Sequence, residues 1–375
     1  MRPAFPLVCR GLAWLLVLLL PACVDPYSPE ILAAKRSYLV VDGFINSQGV
    51  TTIKLSRTFA ITSLPKVPNE TRATVYIEDT AGARFPLAEG ATGTYTSAYL
   101  MLTTGRTYRL RIATAAGVLY ASDFVPVKIT PPLDAVDWRA EPTGLGIYVS
   151  AHDDTKATQY YRWEYEETWE IIPPFSPSIE FVNNAIRPIR VLYPAQCWGN
   201  ERAAAIQLAK TTALSKDIVS DLLLRRLART SDRLYRRYSV LVQQHALTKE
   251  EYAYWELLRK NTESLGTLFD PQPSQLTGNV HCLSNDAELA FGFVGAHSLA
   301  QKRIFIERGQ LPFDWPFVSG YEACVPPDTA KGNYIPLLRT GFVVPVSEVR
   351  DGITVASLDC VDCRRRGSAN RPAFW

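Results

Sequence analysis

Short runs of alternating apolar and polar residues, broken by turn signals, constrain this chain most, because period two is the side-chain repeat of a β-strand. Such pairs begin after Ser37 with Leu39 and Val41, then Ile53 and Leu55, Val75 and Ile77, and Tyr108, Leu110 and Ile112. Asn46-Ser47-Gln48-Gly49, Thr80-Ala81-Gly82, Gly90 to Gly93 and Ala115-Ala116-Gly117 separate them with turn-forming residues. Regular spacing of this kind predicts a mainly β fold opening with an immunoglobulin-like or prealbumin-like β-sandwich over residues 37–127, near the ~100 residues usual for such domains.

Thr130-Pro131-Pro132 is a stiff break, since consecutive prolines stay extended and cannot pair within a sheet. A larger β-rich domain over 133–375 is expected after it. Val136 and Trp138, then Ile147 and Val149, open it. In the following strand Tyr161, Trp163 and Tyr165 face one way, and Arg162, Glu164 and Glu166 the other. That predicts one core side and one wet side. The prolines at 173, 174 and 177 should loop out before a strand at Val191-Leu192-Tyr193. Asp217 to Arg229 reads as either a basic helix or strands, whereas Tyr238 to His245 alternates as a strand. Thr248 with Glu251 three positions on is a capping box, and Tyr252, Trp255 and Leu258 follow at helical spacing, predicting one helix at about 248–264. Strands are expected again at Leu289 to Val294, Arg303 to Glu307 and Gly341 to Val346.

Ahead of the strands lies an export signal: basic Arg2 and Arg10, an apolar run from Leu12 to Leu20, and small Ala22. Nine apolar residues fall well short of the ~20 that cross a bilayer as a helix. Leu20-Pro21-Ala22-Cys23 places a cysteine directly after the small residue, where lipoprotein processing attaches diacylglycerol before cleavage. Residues 1–22 are therefore expected to leave as a signal peptide and Cys23 to carry lipid, two or three acyl chains giving stable anchoring. Residues 23–36, with two prolines and no strand period, read as a tether of at most ~45 Å at ~3.5 Å per residue. Loss of the signal removes Arg2 and Arg10 and no acid, taking the formal charge from +3 to +1. Nothing in that balance suggests a nucleic-acid partner.

Cys9 leaves with the signal, so Cys197, Cys282, Cys324, Cys360 and Cys363 remain in an oxidising compartment, an odd number allowing at most two disulfides. Cys360-Val361-Asp362-Cys363 has three readings: a redox pair, half of a zinc site, or structural disulfide partners. No thioredoxin-like context and no second ligand pair accompany it, which favours structural disulfides. Cys324 is the expected partner from outside the motif, with Cys197 and Cys282 as a second bridge.

Other candidate chemistry has a plainer reading beside it. His152-Asp153-Asp154 could offer metal ligands, but adjacent residues at a strand end more often solvate a turn. Glu164, Glu166, Glu167 and Glu170 are raw material for acid and base catalysis, yet period two makes Glu164 and Glu166 the polar side of a half-exposed strand. Arginines 225, 226, 229, 233, 236 and 237 form a local basic run that Asp217, Asp221 and Asp232 dilute. The serine-hydrolase elbow, H-E-x-x-H, the P-loop and the dinucleotide glycine fingerprint are all missing from the sequence. No catalytic residue, metal or cofactor is assigned.

Several segments together carry a resemblance to a known family. These are Tyr38-Leu39-Val40-Val41-Asp42-Gly43, Arg237-Tyr238-Ser239-Val240-Leu241-Val242, Asn261-Thr262-Glu263-Ser264-Leu265-Gly266, the run from Asp270 to Asn279, Lys302-Arg303-Ile304-Phe305-Ile306, and Cys360-x-x-Cys363 followed by Phe374-Trp375. Through most of the chain after Cys23 they resemble the lipoprotein family catalogued as domain of unknown function 4249. The resemblance implies a Gram-negative outer-membrane lipoprotein whose genes often sit beside TonB-dependent transporters with a carboxypeptidase-regulatory-like domain, and it favours strands over a helix between 203 and 230. It supplies no catalytic residues. The expected function is a non-catalytic binding or accessory protein of such a transporter, with an unidentified small-molecule or glycan ligand. The alternatives are a glycan hydrolase using the aromatic and acidic strand 161–171, and a structural adhesion protein that needs no pocket.

Overall fold

The computed structural model describes residues 37–59, 67–263, 276, 278–285, 287–325 and 328–375. The expected signal peptide, the expected lipid site Cys23 and the expected tether lie outside the described residues.

The alternation read from the sequence forms strands β1 (Leu39–Asn46), β2 (Gln48–Arg57), β3 (Thr74–Asp79), β4 (Arg84–Glu89), β5 (Thr94–Met101), β6 (Thr107–Ala113), β7 (Leu119–Ser122) and β8 (Val125–Lys128). Their inward residues, among them Leu39, Ile53, Ile77, Tyr95 and Leu110, are buried in one core. The sheet runs β6-β3-β4-β5-β2-β1, continues through a two-residue strand at Ala296–His297 to β8, and closes because β8 also pairs with β6. The first unit is thus a barrel-like ring whose last stave arrives from far along the chain. That segment returns in pieces. Val280–Cys282 pairs with β7, Ala290–Phe291 runs parallel to β1, and Val280, Cys282, Val294 and Ala296 join the core. The strand expected at Leu289 to Val294 shrinks to Ala290–Phe291.

The second unit is a two-layer sandwich. β9 (Leu133–Glu141), β10 (Gly144–His152) and the strand Ile218–Ala228 form one sheet. The opposing sheet runs from Cys197–Arg202 through β11 (Tyr160–Ile171) and Arg237–Ala246 to Leu299–Glu307, with Gln207–Lys210 on the free part of β11. Ile147 and Val149 from the first layer meet Tyr161, Trp163, Tyr165, Val240 and Val242 from the second. Residues 218–228 are strand, as the resemblance implied, because Val219, Leu224 and Leu227 reach this core. Helix α1 (Lys249–Glu263) starts where expected, with the Glu251 N–H donating to Thr248 Oγ1 at 3.1 Å.

Val191-Leu192-Tyr193 is not a strand: both Val191 and Leu192 are exposed, and the pairing in this region belongs to the hairpin Ile179–Val182 with Ala185–Pro188. The expected strand at Gly341 starts later, at Val343, and pairs through Val349 in a small three-stranded sheet with Asp328–Lys331 and Gly352–Ser357.

The Pro131-Pro132 break joins the two units and also stitches them. Thr130 N–H donates to Ser298 Oγ at 2.9 Å, Ala246 N–H to Thr130 Oγ1 at 3.1 Å, and Gln244 Nε2 to the Pro131 carbonyl at 2.8 Å. The chain steps from the ring to the sandwich within His297-Ser298-Leu299. A seam stitched at both crossings leaves the units little freedom to hinge.

Candidate functional site

Four of the five candidate cysteines form two disulfides, Cys197–Cys363 and Cys324–Cys360, with Cα separations of 5.7 and 5.8 Å. Each cysteine of the C-x-x-C motif thus bonds outside the motif. The expected Cys197–Cys282 bridge is not made, because Cys282 lies on a strand paired to β7 and is a buried thiol in the ring core. Cys197 instead packs with Ile171, Tyr321 and Cys363 at the far end of the sandwich.

The arginine run is not a free basic patch. Arg225 and Arg233 pair with Glu167, Arg226 with Glu141, Arg229 with Asp314 and Arg237 with Glu307, while Arg236 lies over the Tyr235 ring. At the metal candidate, His152 Nδ1 is 2.7 Å from the Asp134 carboxylate, whose hydrogen bond raises the imidazole above its ordinary range. Asp153 binds the Thr155 and Thr158 hydroxyls and backbone of its own turn. Among the described residues no group of three or more His, Cys, Asp or Glu could hold a metal ion.

The largest departure from expectation concerns β11. Its aromatic side is core, but its other side is not wet over residues 162–164: Arg162 is 7% exposed. The outer face of β1 and β2, helix α1 and the Ala296–His297 strand cover it. Between them lies a cavity of about 140 Å³ whose walls include Phe44, Arg162, Glu164, Arg202, Glu251 and Trp255. Strand register builds the cluster, since β11 pairs Arg162 with His245, and the parallel bridge of β1 places His297 beside Asn46. Phe44 stacks on His297 with centroids 4.2 Å apart and meets His245 edge-on at 5.1 Å. The Arg162 guanidinium lies over the Trp255 ring at 4.1 Å.

Glu164 is held by both Arg162 and Arg202, one on each carboxylate oxygen. Burial pushes its carboxyl up, but the two guanidiniums outweigh burial and keep it below the ordinary range. Glu251 is fully buried and stands 3.8 Å from His297 Nε2. It fits there because Gly295 lacks a side chain: a Cβ at that position would lie 2.1 Å from Glu251 Oε2. Burial raises the Glu251 carboxyl to about 7, although Arg162 pulls it back. Burial, reinforced by Arg162, lowers His297 to about 3, and the same causes in the same order put His245 well below its ordinary range. The 3.8 Å contact is therefore between a neutral imidazole and a carboxyl that titrates near neutrality, not a salt bridge.

Several polar atoms here have no hydrogen-bond partner despite burial: Arg162 Nε, both ring nitrogens of His245, and His297 Nε2. Leaving such groups unmade costs about 1–3 kcal/mol each, so their concentration on one seam marks a place built for something other than stability. The sequence reading missed this site. In the sequence Glu251 reads as a cap and His245 as the end of a strand. The available signal was that Arg162 and His245 occupy the polar faces of two strands that pair.

No curated protein matches the chain. Among solved structures, a DUF4785 family protein from Legionella pneumophila is 10% identical over 55% of this chain and 51% of its own, with a TM-score of 0.20. The chain spans about half the length of that protein. A two-domain fibronectin type III segment from chicken tenascin is 9% identical over 56% of this chain and 90% of its own, with a TM-score of 0.17. A family model described as a domain of unknown function, DUF4249, matches residues 24–303, and the chain belongs to that family.

Proposed function

We propose that this protein is a cell-envelope lipoprotein, anchored to the outer membrane through Cys23, that works as a non-catalytic binding subunit beside a TonB-dependent transporter. The observation that carries the binding role is the seam pocket: charged and aromatic side chains converge there from both units, with buried donors unspent. Such a pocket suits recognition. Its one ionised carboxylate on β11, Glu164, is bonded to arginine on both oxygens and so is a poor nucleophile or base. The anchor rests on the Leu20-Pro21-Ala22-Cys23 sequence and the transporter on the family resemblance.

Co-purification from outer membranes in mild detergent tests the partner: a transporter subunit should follow the tagged protein, and its consistent absence would remove the main support. Cys23→Ser tests the anchor independently. The variant should appear as soluble or unprocessed protein with unchanged fold, and recovery in an acylated, membrane-bound form would sink the assignment.

A second reading keeps one observation. Glu164 and Glu251 line the same cavity with their acidities pushed apart, a pattern that acid and base pairs share. A glycan hydrolase built on them would lose all turnover of an aryl glycoside in Glu164→Gln. Turnover that persists in that variant removes the hydrolase reading.

A further inference from the structure

We propose that the seam pocket binds a small organic carboxylate, received by Arg162 and Arg202, with its apolar part against Trp255 and Phe293. The inference deepens the binding role given above for the same pocket. Both oxygens of Glu164 are taken by the two arginines. Asp42 stands opposite Lys54 in the β1–β2 register, and both line the cavity. Against that, Arg162 Nε is buried with no partner, and Arg202 directs one N–H to Glu164 out of the five a guanidinium carries. On the two arginines, what remains unsatisfied is donor in character. A fork of two guanidiniums pinned side by side by one glutamate is arranged for a planar, two-oxygen acceptor. The walls exclude a fully hydrated ion: Trp255, Phe293 and Phe44 line the same cavity. At about 140 Å³ the space suits a molecule of few heavy atoms.

Glu251 makes the binding proton-linked. The groups that face it are His297 at 3.8 Å, Arg162 from β11, His245 behind His297, and Trp255 on its own helix, while Asp42, Lys54, Glu164 and Arg202 share the cavity. With both imidazoles held neutral, ionisation of Glu251 adds a bare negative charge to the wall. Its carboxyl titrates at about 7. A carboxylate ligand then binds the protonated form, and its affinity falls as pH rises through that value.

Benzoate is the probe, because it stays ionised throughout this range and offers one planar anion on one ring. Calorimetry on the purified full chain in detergent should give saturable one-to-one binding at pH 6 and roughly tenfold weaker binding at pH 8. Arg202→Met alters a half-exposed side chain, so it should keep the melting temperature and lose at least tenfold in affinity. Glu251→Gln should bind equally at the two pH values. Benzamide binding as tightly as benzoate, phosphate binding more tightly, or an Arg202→Met variant of unchanged affinity would each overturn the proposal. So would folded protein that gives no saturable benzoate binding at pH 6. Because the readout needs no transporter, benzoate can fail while co-purification succeeds, and the ligand class then falls without the accessory role.

Discussion

Glu167 and Glu251 are both 2% exposed, and they differ in almost everything else that matters. Glu167, on the core side of β11, accepts from Arg225 Nε at 3.2 Å, Arg233 at 2.5 Å and the Tyr238 hydroxyl at 2.6 Å. Arg233 also pairs with Glu201 and lies over the Trp169 ring at 4.3 Å. Around Glu251 the nearest charged or titratable neighbour is an imidazole at 3.8 Å, and the adjacent Arg162 and His245 carry unpartnered nitrogens. A buried carboxylate whose lone pairs are filled by the protein contributes to a single folded arrangement. One whose surroundings stay partly unfilled holds capacity in reserve. Burial alone does not separate the two; hydrogen-bond completeness does.

The comparison is broken most severely by removing Glu167. Glu167→Ala strands Arg225 and the Tyr238 hydroxyl and leaves Arg233 with Glu201 alone, and loss of one partner from a buried pair costs about 3–5 kcal/mol. Chemical denaturation should register a drop of that size, with ligand binding by the remaining folded protein unaffected. A loss below about 1 kcal/mol would mean that the network does not hold the sandwich together.

Glu251 sharpens the contrast through pH. Its folded carboxyl titrates at about 7 against 4.5 for the free group. Below pH 4.5 both states are protonated and no stability is lost through this group. Between 4.5 and 7 the unfolded chain releases its proton first, so stability falls as pH rises, reaching a loss of about 3 kcal/mol above pH 7. His297 acts with the opposite sign. With its folded value lowered from 6.5 to about 3, stability is intact above pH 6.5 and is lost as pH falls towards 3. Glu251→Gln should therefore be the more stable protein at pH 8, and its advantage over wild type should grow as pH rises from 4.5 to 7, the histidine contributions being common to both. Identical slopes for the two proteins would show that the carboxyl is not desolvated. No comparable gain is expected from Glu167→Gln, whose partners need the charge.

How far this difference was legible in the sequence follows from what period two encodes. Alternation along Tyr161 to Glu166 separates two faces of β11 and assigns the aromatic one to the core, because apolar burial is a local property of the pattern. It says nothing of what covers the second face. That depends on β1 and β2 more than 100 residues upstream and on His297 more than 100 downstream, brought together by pairings with no local signature. The ring closes through Ala296–His297, a strand of two residues, too short to show any alternation. The cysteines failed for the same reason: their number bounds the disulfides, but Cys197 meets Cys363 across 166 residues, and Cys282 is taken into a different core. The Thr248 cap and helix α1 depend on neighbours within four positions, and they were found where the sequence put them.

Glu166 supplies the smallest effect and the narrowest version of the comparison. It lies on the same face of β11 as Glu164, two residues on, and the sequence treats the two as equivalent. In the fold Glu164 lines the seam cavity beneath two guanidiniums, whereas Glu166 has moved past the cover of β1 and accepts a hydrogen bond from Asn200 Nδ2 at 2.7 Å near the surface. Glu166→Gln keeps an acceptor for that amide and strands no cation, so stability should change by less than about 0.5 kcal/mol. Glu164→Gln removes the one charge shared by Arg162 and Arg202, and should cost more by denaturation while leaving the arginines unpinned. Two neighbouring carboxylates on one strand face then differ solely by what lies across from them. Equal effects from the two substitutions would mean that the seam does not cover β11 as described.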